Sequence, residues 1–485
     1  MTATDPQAAI LAFRDAANAN QDFVRYKILV GYESVFADMW NNSSTPYDER
    51  EDWRAKEIDK LVDDVSDQNT DNWLALIRRC AATKSNDLAT FPPFTQFLEK
   101  LGERKPDFAL RCLTESDSAL ARFLAALLRG LAKTPDWARA LAVVEGWVGQ
   151  PRHLGEVIFA GGTISELPLD LVVRALELAL YASDMDAAMS ALVAVMRRFS
   201  LERTGETEAL KAMFLQAARF LAAHDRHHAL TPWIIHGKPS IFDAFNLAER
   251  REYLDLLVPF ESWHLNLERV AVAAAGNDPE LILEFLAQRA AFRQGTSAGS
   301  YDAMPFHVDE IKDLLVPHID LVLVTGLAWF KKDDWLWGHF ATGLVERVYP
   351  GVGDILDPAL RRLIATGNRS SVEFVVAILR AYNGRLPTLA LCKEVVAALP
   401  DGDELLAEIR IAISSTGTTS GEYGVAQAYQ KRREEIALWQ SDDRPNIKAF
   451  AESMLHVLGN EIAAETRRAD AGIARRKLDF VARST

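Results

Sequence analysis

Cysteine is scarce in this chain: three in 485 residues, Cys80, Cys112 and Cys392, with no Cys-x-x-Cys pair. That spacing excludes a zinc ribbon, a dithiol redox centre and a disulfide-stapled miniprotein. Each cysteine sits inside an apolar periodic segment, so three buried thiols in a reducing compartment are expected. Glycine (26) and proline (19) are too few for a low-complexity or collagen-like chain. The longest apolar stretches, such as Leu321–Phe330, reach about half of the ~20 residues a membrane helix needs. The opening MTATDPQAAI has no early base and an acid at Asp5, so it lacks the charged start of a signal peptide. A soluble cytoplasmic protein is expected from these two absences.

Nucleotide-binding loops are missing as well. The only Gly-Lys pair, Gly237-Lys238, is followed by Pro239, and no strand precedes Gly351-Val352-Gly353. Neither can cradle phosphates as a P-loop or a dinucleotide-binding turn does. Alternating β-branched runs are nearly absent, and the best strand candidate, Ile319–Thr325, fits the end of a helix equally well.

What the chain has in plenty is acid and helical periodicity. It carries 68 Asp+Glu against 54 Lys+Arg, a formal net charge of -14, which argues against a general nucleic-acid coat. The balance shifts mildly along the chain, from 17 acids and 11 bases in residues 1–100 to 7 acids and 8 bases in residues 441–485. Apolar residues recur at i, i+3, i+4 and i+7 from end to end, for example in Trp137–Trp147, Leu169–Leu180, Met185–Met196 and Phe450–Leu458. Ala119–Leu131 is apolar on more than one face and should be nearly buried. Asp5-Pro6, Thr134-Pro135, Asp278-Pro279 and Asp357-Pro358 each place a capping oxygen before a proline, as helix starts do. Gly276-Asn277, Gly367-Asn368 and Asn383-Gly384 supply stops.

The expected fold class is therefore all-α, and its length favours stacking over one core, since single cores stop growing near ~250–300 residues. No strict repeat period is present, so an α-solenoid of irregular HEAT-like helical hairpins is expected. Three polar stretches interrupt it: Asn41–Asp52, Gln294–Pro305 and Ser414–Gly424. The second is the best boundary, dividing residues 1–295 from 306–485, with one continuous solenoid as the alternative.

Candidate sites are few. His224 and His228, one turn apart with His227 between and His236 beyond, have ligand spacing but no HExxH frame. Their place near a helix end suits ordinary dipole-facing histidines. Ser297 centres a Gly-x-Ser-x-Gly (Gly295–Gly299), yet a helical stripe rather than a strand precedes it, so a linker is the ordinary reading. The acidic pairs Asp63-Asp64, Asp333-Asp334 and Asp442-Asp443 read as solvated faces. Arg467, Arg468, Arg475, Arg476 and Lys477 form the main basic signal and are candidate nucleic-acid contacts. Interleaved Glu461, Glu465, Asp470 and Asp479 make them a self-neutralised helix on the ordinary reading. Trp335 and Trp337, two apart, cannot share a helix face, so at least one is expected outside the core, as a candidate protein-interface anchor. No catalytic residue and no cofactor emerges from these readings.

One likeness goes further. PNIKAFAESMLHVLGNEI (Pro445–Ile462) resembles the second helix of a HEAT-type repeat. Together, RYKILVGYESVF (Arg25–Phe36), CAATKSNDLATFPPF (Cys80–Phe94) and SGEYG followed by the Arg-rich final helix (Ser420–Lys477) are similar to the C-terminal helical region of large multidomain bacterial proteins. Several of those are anti-phage defence proteins with an N-terminal NTPase or NAD-consuming effector. The resemblance implies a sensor or regulatory subunit that binds another protein, an effector subunit or a phage component, and carries over no catalytic residue. No NTPase, sirtuin-like or TIR-like segment precedes the helices here, so the chain is expected to be either a fragment or a stand-alone version working with a separate effector. A non-enzymatic protein-binding scaffold is the first expectation. A HEAT-like nucleic-acid-binding protein and a hydrolase or nuclease with a non-contiguous site stay open beside it.

Overall fold

Helix signals dominate the sequence, and in a computed structural model every regular element among the described residues is helical. Those residues are 6–30, 47–85, 90–201, 205–231, 240–295, 303–304, 308–332, 334–382, 388–417 and 419–483. Contacts divide the chain into two units, Met1–Glu249 and Arg250–Thr485. The division lies inside a helix, ahead of the Gln294–Pro305 stretch favoured by composition.

The first unit contains α1 (Pro6–Asn18), α2 (Gln21–Val30), α3 (Tyr47–Asp64), α4 (Thr70–Ala81), α5 (Pro92–Arg104), α6 (Pro106–Thr114) and α7 (Ser118–Ala121). It continues with α8 (Leu124–Leu131), α9 (Trp137–Gly149), α10 (Leu154–Gly161), α11 (Leu169–Tyr181), α12 (Met185–Phe199) and α13 (Thr207–Ala223), and ends within α14 (Leu247–Leu257). Its helices fall into two rows. Along one, α3, α5, α8, α10 and α12 each pack on the next; along the other, α9, α11 and α13 do the same. Trp73, Phe94, Phe97, Phe214 and Phe242 are fully buried in this unit. Gly102 and Gly130 set the closest approach, between α5 and α8. A Cβ on Gly130 would lie 2.0 Å from the Glu99 carbonyl oxygen, and one on Gly102 2.5 Å from that of Leu127.

Arg198, at the end of α12, is 2% exposed. It grips Glu206 through two bonds of 2.7 Å and donates to the carbonyls of Gly161 (3.1 Å) and Leu167 (3.0 Å). One guanidinium thus joins the ends of three helices, its charge neutralised by a bidentate partner.

The second unit holds α15 (Leu265–Ala275), α16 (Pro279–Gly295), α17 (Glu310–Leu315), α18 (Ile319–Phe330), α19 (Trp335–Val348), α20 (Leu356–Ala365) and α21 (Arg369–Ala381). It closes with α22 (Thr388–Ala398), α23 (Leu405–Ser414), α24 (Gly424–Ala437) and α25 (Pro445–Arg483). Two rows recur: α15, α17, α19, α21 and α23 pack in succession, as do α16, α18, α20, α22 and α25. Arg289 of α16 is fully buried and donates to the carbonyls of Leu257 (3.2 Å), Val258 (2.9 Å) and Ala303 (3.1 Å), under the Trp263 ring. It therefore anchors the far end of the Gly/Ser-rich stretch.

Several local expectations change. Asn41–Asp52 is not wholly a loop, because residues 47–52 open α3. Ala119–Leu131 is two helices, broken at Arg122-Phe123, where Phe123 turns between Phe91 and Phe94 (5.3 and 4.8 Å). Asp278 caps α16 by accepting from the Glu280 N–H at 2.9 Å, as its Pro neighbour suggests. Thr134 precedes a turn, with α9 starting three residues on, and Asp357 lies inside α20, where it pairs with Arg361 at 2.7 Å. Gly276 is left-handed (φ 65°) at the end of α15. Gly367 is left-handed as well (φ 65°), just past α20, and Asn368 then opens α21, accepting from the Ser371 N–H. The Asp5 cap and the Asn383-Gly384 stop lie outside the described residues.

Ile319–Thr325 is helical, within α18. Among the described residues one stretch, Glu310–Phe330, is long and apolar enough by length and composition to cross a membrane. Pro317 interrupts it with a 3-10 turn, Val322, Leu323, Gly326 and Trp329 are buried, and Asp320 pairs with Arg362 of α20 at 2.6 Å. All three cysteines are free and buried.

Candidate functional site

Most helices here bury one apolar face. Three in a row, α19, α21 and α23, also carry a second face of small and polar residues, and these faces line a groove in the second unit. Its volume is about 1060 Å³. On α19 the facing positions include Trp335, Gly338, His339, Thr342 and Glu346, spaced by three or four as one helix stripe requires. Ser370, Glu373, Ala377 and Arg380 repeat that spacing on α21, and Leu405, Glu408, Ala412 and Ser415 on α23. Phe330 and Lys331, at the end of α18, close one edge.

The two tryptophans part as their spacing predicts. Trp337 is 5% exposed, packed on Trp329 at 5.7 Å with the Lys332 ammonium over its ring. Trp335 is 82% exposed. One face of its indole stacks on His339, with centroids 5.8 Å apart and planes 8° from parallel. The His339 imidazole is held below the ordinary histidine range, first by burial and then by the Arg347 guanidinium, with Glu346 opposing. At neutral pH the ring beneath Trp335 is therefore uncharged.

Most of the groove's charges are engaged. Asp334 caps α19, accepting from the N–H groups of Leu336 (2.8 Å) and Trp337 (3.3 Å). Arg380 pairs with Glu408. Glu373 pairs with Arg369 (2.8 Å), which also reaches Asp403 (2.5 Å) and holds that carboxyl below its ordinary range. Arg347 donates toward the Met304 sulfur at 3.7 Å. Thr342 donates to the carbonyls of its own helix. No serine or threonine of the groove is hydrogen-bonded to His339, so no nucleophile–base pair is formed there among the described residues.

The other sequence candidates lie elsewhere. His224 ends α13, exposed, its Nδ1 2.8 Å from the Phe220 carbonyl and its ring against Phe220. His227 and His228 sit in a 3-10 turn beyond it. No three His, Cys, Asp or Glu side chains gather into a metal-binding group among the described residues. His236, Gly237-Lys238 and Ser297 lie outside those residues. Asp63 pairs with Arg104, Asp64 with Arg25 (2.6 Å) and Asp442 with Lys393 (2.7 Å) and Arg444 (2.9 Å). Asp63 and Asp64 stay exposed, as expected, while tying helices together; Asp442 is largely covered and serves as a local tie.

The basic residues are all exposed on the second half of α25. Arg468 pairs with Glu465 (2.7 Å) and Arg476 with Glu422 (2.7 Å). Arg467, Arg475 and Lys477 make no ion pair among the described residues. Tyr423 donates to Asp470 at 2.6 Å. The SGEYG segment and the Arg-rich helix, singled out together in the sequence, thus meet through Glu422 and Tyr423.

Sequence reasoning found one groove residue, Trp335, and missed His339, Glu346 and the facing stripes. The available signal was a second helix face poor in large apolar side chains, recurring on three successive helices. Set against family models, curated proteins and solved structures, the chain matches none of them.

Proposed function

We propose that this protein is a non-enzymatic binding scaffold, an α-solenoid of irregular HEAT-like hairpins whose α19–α21–α23 row receives a segment of another protein. The observation that carries this reading is Trp335, a large apolar ring left 82% exposed at a groove most of whose charges are already engaged. Exposed indoles cost hydration free energy and are enriched at binding hot spots. Successive helices of one row offer such a surface without an enzyme pocket. The sequence resemblance adds a setting, regulation or sensing in bacterial anti-phage defence, with an effector subunit or phage component as partner.

A photo-crosslinking residue in place of Trp335 tests this in extract of the source organism. A discrete adduct formed there, and not from the same residue at Tyr181 (92% exposed, outside the groove), is the expected result. Equal labelling from both positions, or none, overturns it.

Nucleic-acid binding has one observation in its favour, the exposed Arg467, Arg475 and Lys477. Phosphate contacts release counterions, so a DNA or RNA affinity that stays flat across a salt series removes that reading.

A further inference from the structure

The groove also selects the kind of segment it receives. Resting on the protein-binding reading above, we propose that it seats a single amphipathic α-helix of a partner, with an apolar side chain on Trp335 and a lysine or arginine at Glu346.

Size comes first. Trp335 and Glu346 stand eleven positions apart on α19, about 16 Å at 1.5 Å per residue. Three helices side by side at ~9 Å spacing give a face roughly 18 Å wide. The product, about 300 Å², is far below the ~800 Å² each partner contributes to a stable complex of folded proteins. A second copy of this chain is therefore a poor occupant, whereas one helix about 10 Å across fits. The floor suits it: Gly338, Ala377, Ala381 and Ala412 have short or no side chains, so an incoming helix can approach closely.

Charge decides the sign. Arg380 is neutralised by Glu408, and Asp334 and Glu373 are already engaged. Glu346 lines the groove with no hydrogen bond or ion pair among the described residues. Arg347, the groove's other cation, donates toward the Met304 sulfur, so Glu346 is a wall carboxylate with no ion-paired cation and gains from a basic partner group. At the opposite end Lys331 is exposed and makes no ion pair among the described residues, so a cation is disfavoured beside Trp335. That end takes the apolar side chain. Eleven residues make three turns plus about 20°, so the occupant's two anchors also share one face.

Fluorescence anisotropy with the full chain and three labelled 18-residue peptides tests this. One has a leucine face flanked by lysines, one the same face flanked by glutamates, and one is the lysine peptide broken by a central proline. The lysine helix is expected to saturate, and the other two to bind at least tenfold more weakly. Trp335→Ala should weaken the lysine helix tenfold or more, and Glu346→Gln three- to tenfold. Asp186→Asn, an exposed carboxylate outside the groove, should leave it unchanged. Circular dichroism melts of each variant, expected to overlay the parent because these side chains are not core, separate lost binding from lost folding. If Trp335→Ala abolishes binding but the glutamate helix binds as well, or Glu346→Gln has no effect, the charge assignment fails and the groove reading stands. Should Trp335→Ala change nothing, both fall.

Discussion

At the residue scale, buried charge is the most informative feature. Arg198 and Arg289 sit in the two units with little or no exposure, and each donates to two or more main-chain carbonyls. Glu268 is the acidic counterpart, 3% exposed on α15, accepting from the Ile311 N–H at 2.9 Å at the start of α17. Burial outweighs these N–H groups and lifts its pKa above the ordinary value of 4.5. The native state therefore holds a proton more tightly than the unfolded chain. The penalty for ionising Glu268 is fully present above its folded pKa and fades as pH falls through that pKa toward 4.5. In urea melts, wild type should gain on Glu268→Gln as pH falls toward 4.5. A difference that stays flat with pH removes the burial explanation. None of these three residues stands out in the sequence, because burial of a charge depends on what neighbouring helices bring to it. The cysteines did stand out: apolar periodicity around each placed them inside, where burial pushes their thiols up to about 12.

At the element scale, helix existence was legible and helix ends less so. Periodicity names the buried face of α25 correctly, since Ile447, Phe450, Ala451, Met454 and Leu458 are all buried. Asp-Pro and Thr-Pro pairs were surer guides to a nearby turn than to the first helical residue, because a cap works only where the next turn closes. The α7–α8 break was invisible because no glycine or proline marks it, and it falls where Phe123 packs between aromatic neighbours. Close packing was equally hidden. Gly130 reads as a weak spot in α8, where alanine would ordinarily add about 1 kcal/mol of helix stability. Here a Cβ would meet backbone of α5 at 2.0 Å, so Gly130→Ala should destabilise by about 2 kcal/mol or more. A neutral or raised melting temperature for that variant would mean the α5–α8 approach is looser than described.

For the whole molecule, the all-α class follows from the helical period and the near absence of alternating strands. Composition placed the boundary in a Gly/Ser-rich stretch, but contacts follow side chains, and Arg289 ties that stretch back to Leu257 and Val258. The unit from Arg250 onward contains its own core, including Tyr253, Phe285, Phe374 and Tyr382. A fragment beginning at Leu247, which keeps α14 whole, should show helical circular dichroism and a cooperative melt. One beginning at Trp263 forfeits two of the three Arg289 carbonyls, together with α14, and should melt lower or not cooperatively. Equal melts for both would show that the Arg289 clamp contributes little. The groove was only partly readable because it is assembled from one stripe on each of three helices, and a stripe on one helix gains meaning only beside its neighbours.

The final helix is seated on α22 and α24 and ends in an overhang. Among the described residues its fully buried side chains end at Leu458, α24 packs on beyond that point, and the 13 residues from Asp470 to Arg483 extend roughly 20 Å at 1.5 Å per residue. One degree of tilt at Asp470 then displaces the tip by about 0.3 Å, so the end of α25 amplifies small motions of its own base. Tyr423 on Asp470 and Glu422 on Arg476 act as a damper on that lever, and whatever loosens those two contacts sets the arc through which the basic tip can swing.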